Sequence, residues 1–159
     1  MVTMLMETKD WIMRSYLAKG LSAGFVDQLA ALAVRETYQD GETIISIGDT
    51  GKDLYLLVEG KADILAMTGE TFDSILPGAP FGELAMLDGK PRAATVVAAM
   101  HCDVLRFPAE PLATLLKENP VEFNVVLQNL CFVLCERLRS NNAYLTVMLA
   151  MQDVQQGGH

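Results

Sequence analysis

The sequence predicts a mainly β domain, an antiparallel roll or barrel carried between flanking helices. Three observations predict it. From residue 36 to residue 107 short apolar runs alternate with glycine turns, the pattern of brief antiparallel strands, whereas helical periodicity is confined to the chain before and after that stretch. The 159 residues, 51% hydrophobic and 20% charged, suit one well-buried domain rather than two.

Taken in order, residues 1–35 hold N-terminal helices, with the helical signals beginning near Lys9. Trp11, Ile12, Tyr16 and Leu17 recur on one helical face, Gly20 interrupts, and Ser22 caps a second helix, AGFVDQLAALAV. Residues 36–107 then carry TIISI after Asp40-Gly41, LYLLV after Gly48 and Gly51, ADILAM after Glu59-Gly60, TFDSIL after Thr68-Gly69, and finally TVVAA and CDVLRF. Each reads as a strand. Residues 108–152 return to helix: AEPLATLLKENP is a short one ending near Pro120, and residues 121–152 form a single long one. In it Leu127, Leu134, Asn141 and Met148 recur at seven-residue intervals, with Leu130 or Cys131, Leu138 and Leu145 between them. Such a stripe suits a paired helix, where a polar Asn141 fixes register at some cost in stability, or a helix packed on its own β-roll.

Composition excludes several functions. A net charge of −8 and a pI near 4.6 argue against a nucleic-acid surface, which needs clustered Lys and Arg. The apolar stretch VVLQNLCFVLC is broken by polar residues well short of a membrane span, and Glu7, Lys9 and Asp10 interrupt any leader-like segment, so the expected location is cytoplasmic. Cys102, Cys131 and Cys135 are an odd number with no secretory context. Cys131 and Cys135 share a helix face, but with no further ligands nearby they read as buried thiols and not as a metal site. His101 and His159 are the only histidines, too few for a histidine-rich metal centre, and the triplet His101-Cys102-Asp103 on a strand splits its side chains between two faces. No metal site and no enzymatic activity are expected.

The run FGELAMLDGKPRAATVV, residues 81–97, carries the chemistry. Gly82 lets a ligand approach the backbone, and ELAML begins a helix whose first N–H groups are unpaired and favour an anion. Ionised Glu83 accepts hydrogen bonds only, which suits a sugar hydroxyl. Asp88-Gly89 turns the chain, Pro91 fixes φ before Arg92, and Ala93-Ala94 keep bulk away from whatever the Arg92 guanidinium holds. The competing reading is a simple surface ion pair between Glu83 and Arg92.

The complete run favours the cradle, because it resembles the phosphate-binding cassette of the cyclic nucleotide-binding domain family, Phe-Gly-Glu-Leu-Ala, a variable turn, then Pro-Arg-Ala-Ala-Thr-Val. Residues 81–96 match that pattern and the likeness extends over nearly the whole chain. It implies an eight-stranded double-stranded β-roll, jelly-roll-like, with corners at Gly41, Gly48, Gly60 and Gly78. It also implies a 3′,5′-cyclic nucleotide held by Phe81, Gly82, Glu83, Leu84, Arg92, Ala93 and Ala94. Ile64 and Phe72 would be apolar walls for the purine, although Phe72 serves equally well as ordinary core. Ala93 stands where family members often carry a hydroxyl residue that favours cGMP, so the resemblance implies cAMP. In dimeric relatives of the catabolite activator type the long helix is the subunit interface and its middle reaches the purine, which implies a homodimer and brings in Asn141 and Asn142. A DNA-reading half is not expected, since after the long helix the sequence continues only with QDVQQGGH. The implied function is a non-catalytic regulatory sensor that moves its C-terminal helix toward a protein effector. A ligand-free dimerisation module that keeps the fold, or the sensor piece of a larger regulator, is the alternative.

Overall fold

The computed structural model describes residues 6–157; His159 lies outside them. The elements are α1 (Thr8–Met13), α2 (Ala23–Leu32), β1 (Val34–Tyr38), β2 (Thr43–Ile45), β3 (Leu54–Glu59), β4 (Ala62–Leu65), β5 (Thr71–Ile75), β6 (Pro80–Phe81), α3 (Glu83–Asp88), β7 (Thr95–Ala98), β8 (Cys102–Phe107), α4 (Ala109–Glu118) and α5 (Pro120–Gln156). The strands form two four-stranded sheets, ordered β1-β8-β3-β6 and β2-β7-β4-β5. Every pairing is antiparallel. This is the expected eight-stranded roll between helices.

LYLLV shows no polar alternation because both faces of β3 are covered. Leu54, Leu56 and Val58 join a cluster with Phe25 and Leu29 of α2, Leu112 of α4 and Leu130 of α5. Tyr55 and Leu57 face the other way, into a cluster between the sheets with Ile64, Ile75, Phe81, Val96 and Val104. Strand β8 divides likewise: Leu105 and Phe107 face the helices, while Cys102 and Val104 face the roll interior. Full burial of each such side chain contributes about 1.5–3 kcal/mol. The two-layer core therefore fixes the roll against α2, α4 and the first half of α5.

All four expected corner glycines have positive φ. At Gly60 the turn from β3 to β4 is also crowded, since an added Cβ would lie 2.2 Å from the His101 carbonyl oxygen. Ser22 caps α2 as expected, its hydroxyl accepting from the Phe25 N–H at 3.2 Å.

The structure corrects several boundaries. Val34 and Arg35 belong to β1 and not to the N-terminal helices, because α2 stops before the extended Ala33 and the chain pairs with β8 from Val34↔Arg106 onward. Helix α1 is shorter than its face pattern suggested: it ends at Met13, and the Tyr16 N–H donates to the Gly78 carbonyl, leaving Tyr16 exposed while Ile12 and Leu17 are buried. Helix α5 runs to Gln156 instead of stopping at 152, a length of 37 residues, about 55 Å at 1.5 Å per residue. Its buried residues, Val126, Leu130 and Val133, all lie in the first half. The Asn129 amide also pins that half to the α1–α2 connection by donating to the carbonyls of Leu17 and Lys19, at 2.8 and 2.9 Å. Among the described residues no helix is long and apolar enough to cross a membrane.

Candidate functional site

Strand β6 delivers the chain to Gly82, whose φ of +76° turns it into α3. An added Cβ at Gly82 would lie 2.9 Å from Arg92 Nη1 and 3.1 Å from the Asp53 carbonyl oxygen, so glycine is required both by conformation and by space. The Arg92 backbone is stitched to the loop between β2 and β3: its N–H donates to the Asp49 carbonyl, and its carbonyl accepts from the Gly48 N–H, each at 2.8 Å. The side chain is thereby aimed inward. Nη1 donates to the Gly82 carbonyl and Nη2 to the Asp53 carbonyl, both at 2.9 Å.

Arg92 is only 6% exposed. Among the described residues no carboxylate lies within ion-pair distance of it. Two neutral carbonyls occupy two of its five N–H donors and leave its charge uncompensated. Its guanidinium also lies 5.9 Å from the centre of the Tyr55 ring, which stacks on Phe81 at 5.2 Å. Burial holds the Tyr55 phenol above its ordinary pKa and so uncharged.

Glu83 is buried and does not pair with Arg92, which removes the surface ion-pair reading. Its partner is Arg137 of α5: Nη1 donates to Glu83 Oε1 at 2.6 Å, and Nη2 donates to the Pro80 carbonyl. The long helix is thus tied to both residues flanking the Phe81-Gly82 step.

Between the cassette, the β2-β7-β4-β5 sheet and α5 lies a cavity of about 500 Å³, a size suited to a small-molecule ligand. Phe81, Gly82, Glu83, Leu84, Arg92, Ala93 and Ala94 line it, as do Ile64 and Phe72 from β4 and β5 and Asn141 from α5. Asn142 does not: it points to solvent, and its carbonyl accepts from the Thr146 hydroxyl. The turn of about 100° per residue on a helix here carries Asn142 out of the cavity that Asn141 lines. Asn141 Oδ1 is buried and has no hydrogen-bond partner among the described residues. Leu134 and Arg137 of α5, Asp73 of β5, Ile45 of β2 and Val96 of β7 complete much of the wall. Leu134 stood in the heptad stripe, but nothing local to the sequence marked Asp73 as lining the cavity or Arg137 as the partner of Glu83.

A second polar cluster adjoins the first. Asp53, whose carbonyl holds Arg92, accepts from Arg106 Nη1 at 3.1 Å through Oδ2 and from the Ala109 N–H at the start of α4 at 2.8 Å through Oδ1. Arg106 also pairs with Glu36, which accepts from the Tyr38 hydroxyl at 2.7 Å. Burial and that hydrogen bond raise the Tyr38 pKa, and the Glu36 hydrogen bond raises that of Arg106. Cys131 and Cys135 are exposed rather than buried, because they lie on the side of α5 turned away from the roll. No group of three or more His, Cys, Asp or Glu that could hold a metal occurs among the described residues.

A buried guanidinium with no carboxylate partner among the described residues, a neighbouring carboxylate and apolar walls surround one half-open cavity. The chain belongs to the cyclic nucleotide-binding domain family, whose model matches residues 35–119. It is 31% identical over 138 residues to a cyclic AMP receptor protein of Thermus thermophilus, covering 84% of this chain and 62% of that one. It spans 20% to 24% of the length of several other curated relatives. Among solved structures, a cyclic nucleotide-binding domain from Methylobacillus flagellatus superposes with a TM-score of 0.76 at 27% identity, covering 88% of this chain and 82% of that one. The regulatory domain of Toxoplasma gondii PKA, solved with cAMP, gives 0.63 at 25% identity, covering 69% of this chain and 43% of that one. The chain is a regulatory module of that family.

Proposed function

We propose that the protein senses a 3′,5′-cyclic nucleotide, cAMP in preference to cGMP, and that it has no catalytic activity of its own. The observation that carries this is Arg92: a buried guanidinium with spare donors and, among the described residues, no carboxylate partner is stabilised by an anionic ligand such as a cyclic phosphate. Glu83 Oε1 is engaged by Arg137, and the second carboxylate oxygen suits a ribose hydroxyl. Ile64 and Phe72 on one side, with Leu134 and Asn141 on the other, suit a purine. Ala93 offers no hydroxyl to guanine, which supports cAMP.

Helix α5 is the output in this reading. It lies across the cavity through Leu134, Arg137 and Asn141, so a ligand that contacts it shifts its position or its stability. Beyond the cavity, residues 142–152 carry no charged side chain, and Leu145, Leu149 and Met151 are exposed. That surface supports a homodimer through α5 or docking of a protein effector. Titration of the protein with cAMP and with cGMP tests the proposal. Micromolar or tighter binding of cAMP, with weaker cGMP binding, is the expected result; no binding of either overturns it.

A further inference from the structure

Asp73 brings a carboxylate to the cavity wall beside Ile64, one of the residues proposed above to hold the purine. In the β4–β5 ladder Asp73 is paired with Ile64, so the two side chains share one face of the sheet, and both line the cavity. Asp73 Oδ1 accepts from the Ser74 N–H at 2.8 Å, while Oδ2 makes no hydrogen bond among the described residues. Across the cavity, Asn141 Oδ1 is buried and unpartnered among the described residues. Two lining residues on facing walls therefore each carry an acceptor without a hydrogen bond among the described residues. Neither Arg92 nor Arg137 is hydrogen-bonded to Asp73 or Asn141: their bonds go to Gly82, Asp53, Pro80 and Glu83.

A carboxylate only accepts, so it favours a base edge that donates and repels one that presents a carbonyl oxygen or a ring nitrogen. From this arrangement we infer that Asp73 is a specificity-determining residue that selects purines bearing an exocyclic amino group, with Asn141 as its counterpart on α5. The inference rests on the cyclic nucleotide reading given above. Two amino groups supply the same chemistry: the 6-amino group of adenine and the 2-amino group of guanine. The phosphate and sugar contacts at Arg92 and Glu83 are shared by all such ligands and leave this choice open.

Matched ligand pairs test it. cAMP differs from purine riboside 3′,5′-cyclic monophosphate by the 6-amino group alone, and cGMP differs from cIMP by the 2-amino group alone. In the unaltered protein the amino member of one pair should bind about tenfold more tightly, the size of one charge-assisted hydrogen bond. Asp73→Ala should reduce that ratio to within about twofold. Asp73→Asn keeps an acceptor for the Ser74 N–H and turns an amide donor toward the base, so it should collapse the ratio as well while preserving the local turn. The pair that responds identifies the amino group. Ratios unchanged by both variants, with cyclic nucleotides still binding, overturn the role of Asp73 and leave the sensor reading intact. Absence of binding by all four ligands overturns both.

Discussion

Arg137 on α5 donates to the carboxylate of Glu83 on α3 at 2.6 Å, across 54 residues of chain. Glu83 is 3% exposed, so removal of its partner leaves a buried carboxylate uncompensated. Arg137→Ala is expected to destabilise the fold by about 3 kcal/mol, the usual scale for breaking a buried pair. Arg137→Lys should recover part of that, because a lysine keeps the charge but loses the two-pronged contact with Glu83 and Pro80. Chemical denaturation of the two variants checks both statements.

Gly82→Ala is expected to impair both stability and ligand binding. The residue sits at φ +76°, and its new Cβ would press on Arg92 Nη1. The left-handed backbone alone costs about 1–2 kcal/mol for a residue with a side chain. Gly89→Ala, also at positive φ but with only the Lys52 ammonium nearby, is the control: it should lose comparable stability while retaining ligand affinity. Equal loss of affinity in both variants would argue against a specific requirement at Gly82.

The three thiols should divide cleanly in alkylation. Cys131 and Cys135 are exposed on α5 and should react rapidly in the native protein. Cys102 is buried between the sheets, its thiol donates to the Lys61 carbonyl, and burial raises its pKa, so both access and thiolate fraction are low. Mass spectrometry after brief alkylation should find two modified cysteines, and a third only after unfolding.

Cys102, Tyr38 and Tyr55 all have raised pKa values in the folded state, above ordinary values of 9.0 for the thiol and 10.0 for the phenols. The unfolded chain releases these protons first. The stability they contribute is therefore complete below pH 9.0 and is lost as pH rises beyond the ordinary values. Thermal melts should show Tm falling on the alkaline side, and Tyr38→Phe should make that fall shallower.

What the sequence made legible follows from how local each signal is. The cassette places Gly82, Glu83 and Arg92 within one short run, and the core strand β3 announces itself by five consecutive buried side chains. Strand β1 is largely exposed, so VRETY shows no apolar run, and the pairing with β8 that makes it a strand is a tertiary contact. Strand β6 is two residues long, below any periodicity. Arg137 and Asp73 join the site through helix and sheet packing that no spacing encodes. The pair Asn141 and Asn142 shows the limit from the other direction: of the two expected residues only Asn141 lines the cavity, because which asparagine faces it depends on the helix's rotation against the roll.

The uncompensated charge of Arg92 is expected to hold the ligand's phosphate. Calorimetric titration of cAMP into the protein and into Arg92→Ala, with Arg92→Lys as the charge-conserving variant, tests it most directly. Loss of the guanidinium should weaken binding by about tenfold or more, as expected for charge-assisted hydrogen bonds of ~1.5–3 kcal/mol. Lysine should restore only part of it. Equal cAMP affinity in the unaltered protein and in a folded Arg92→Ala variant would contradict the account.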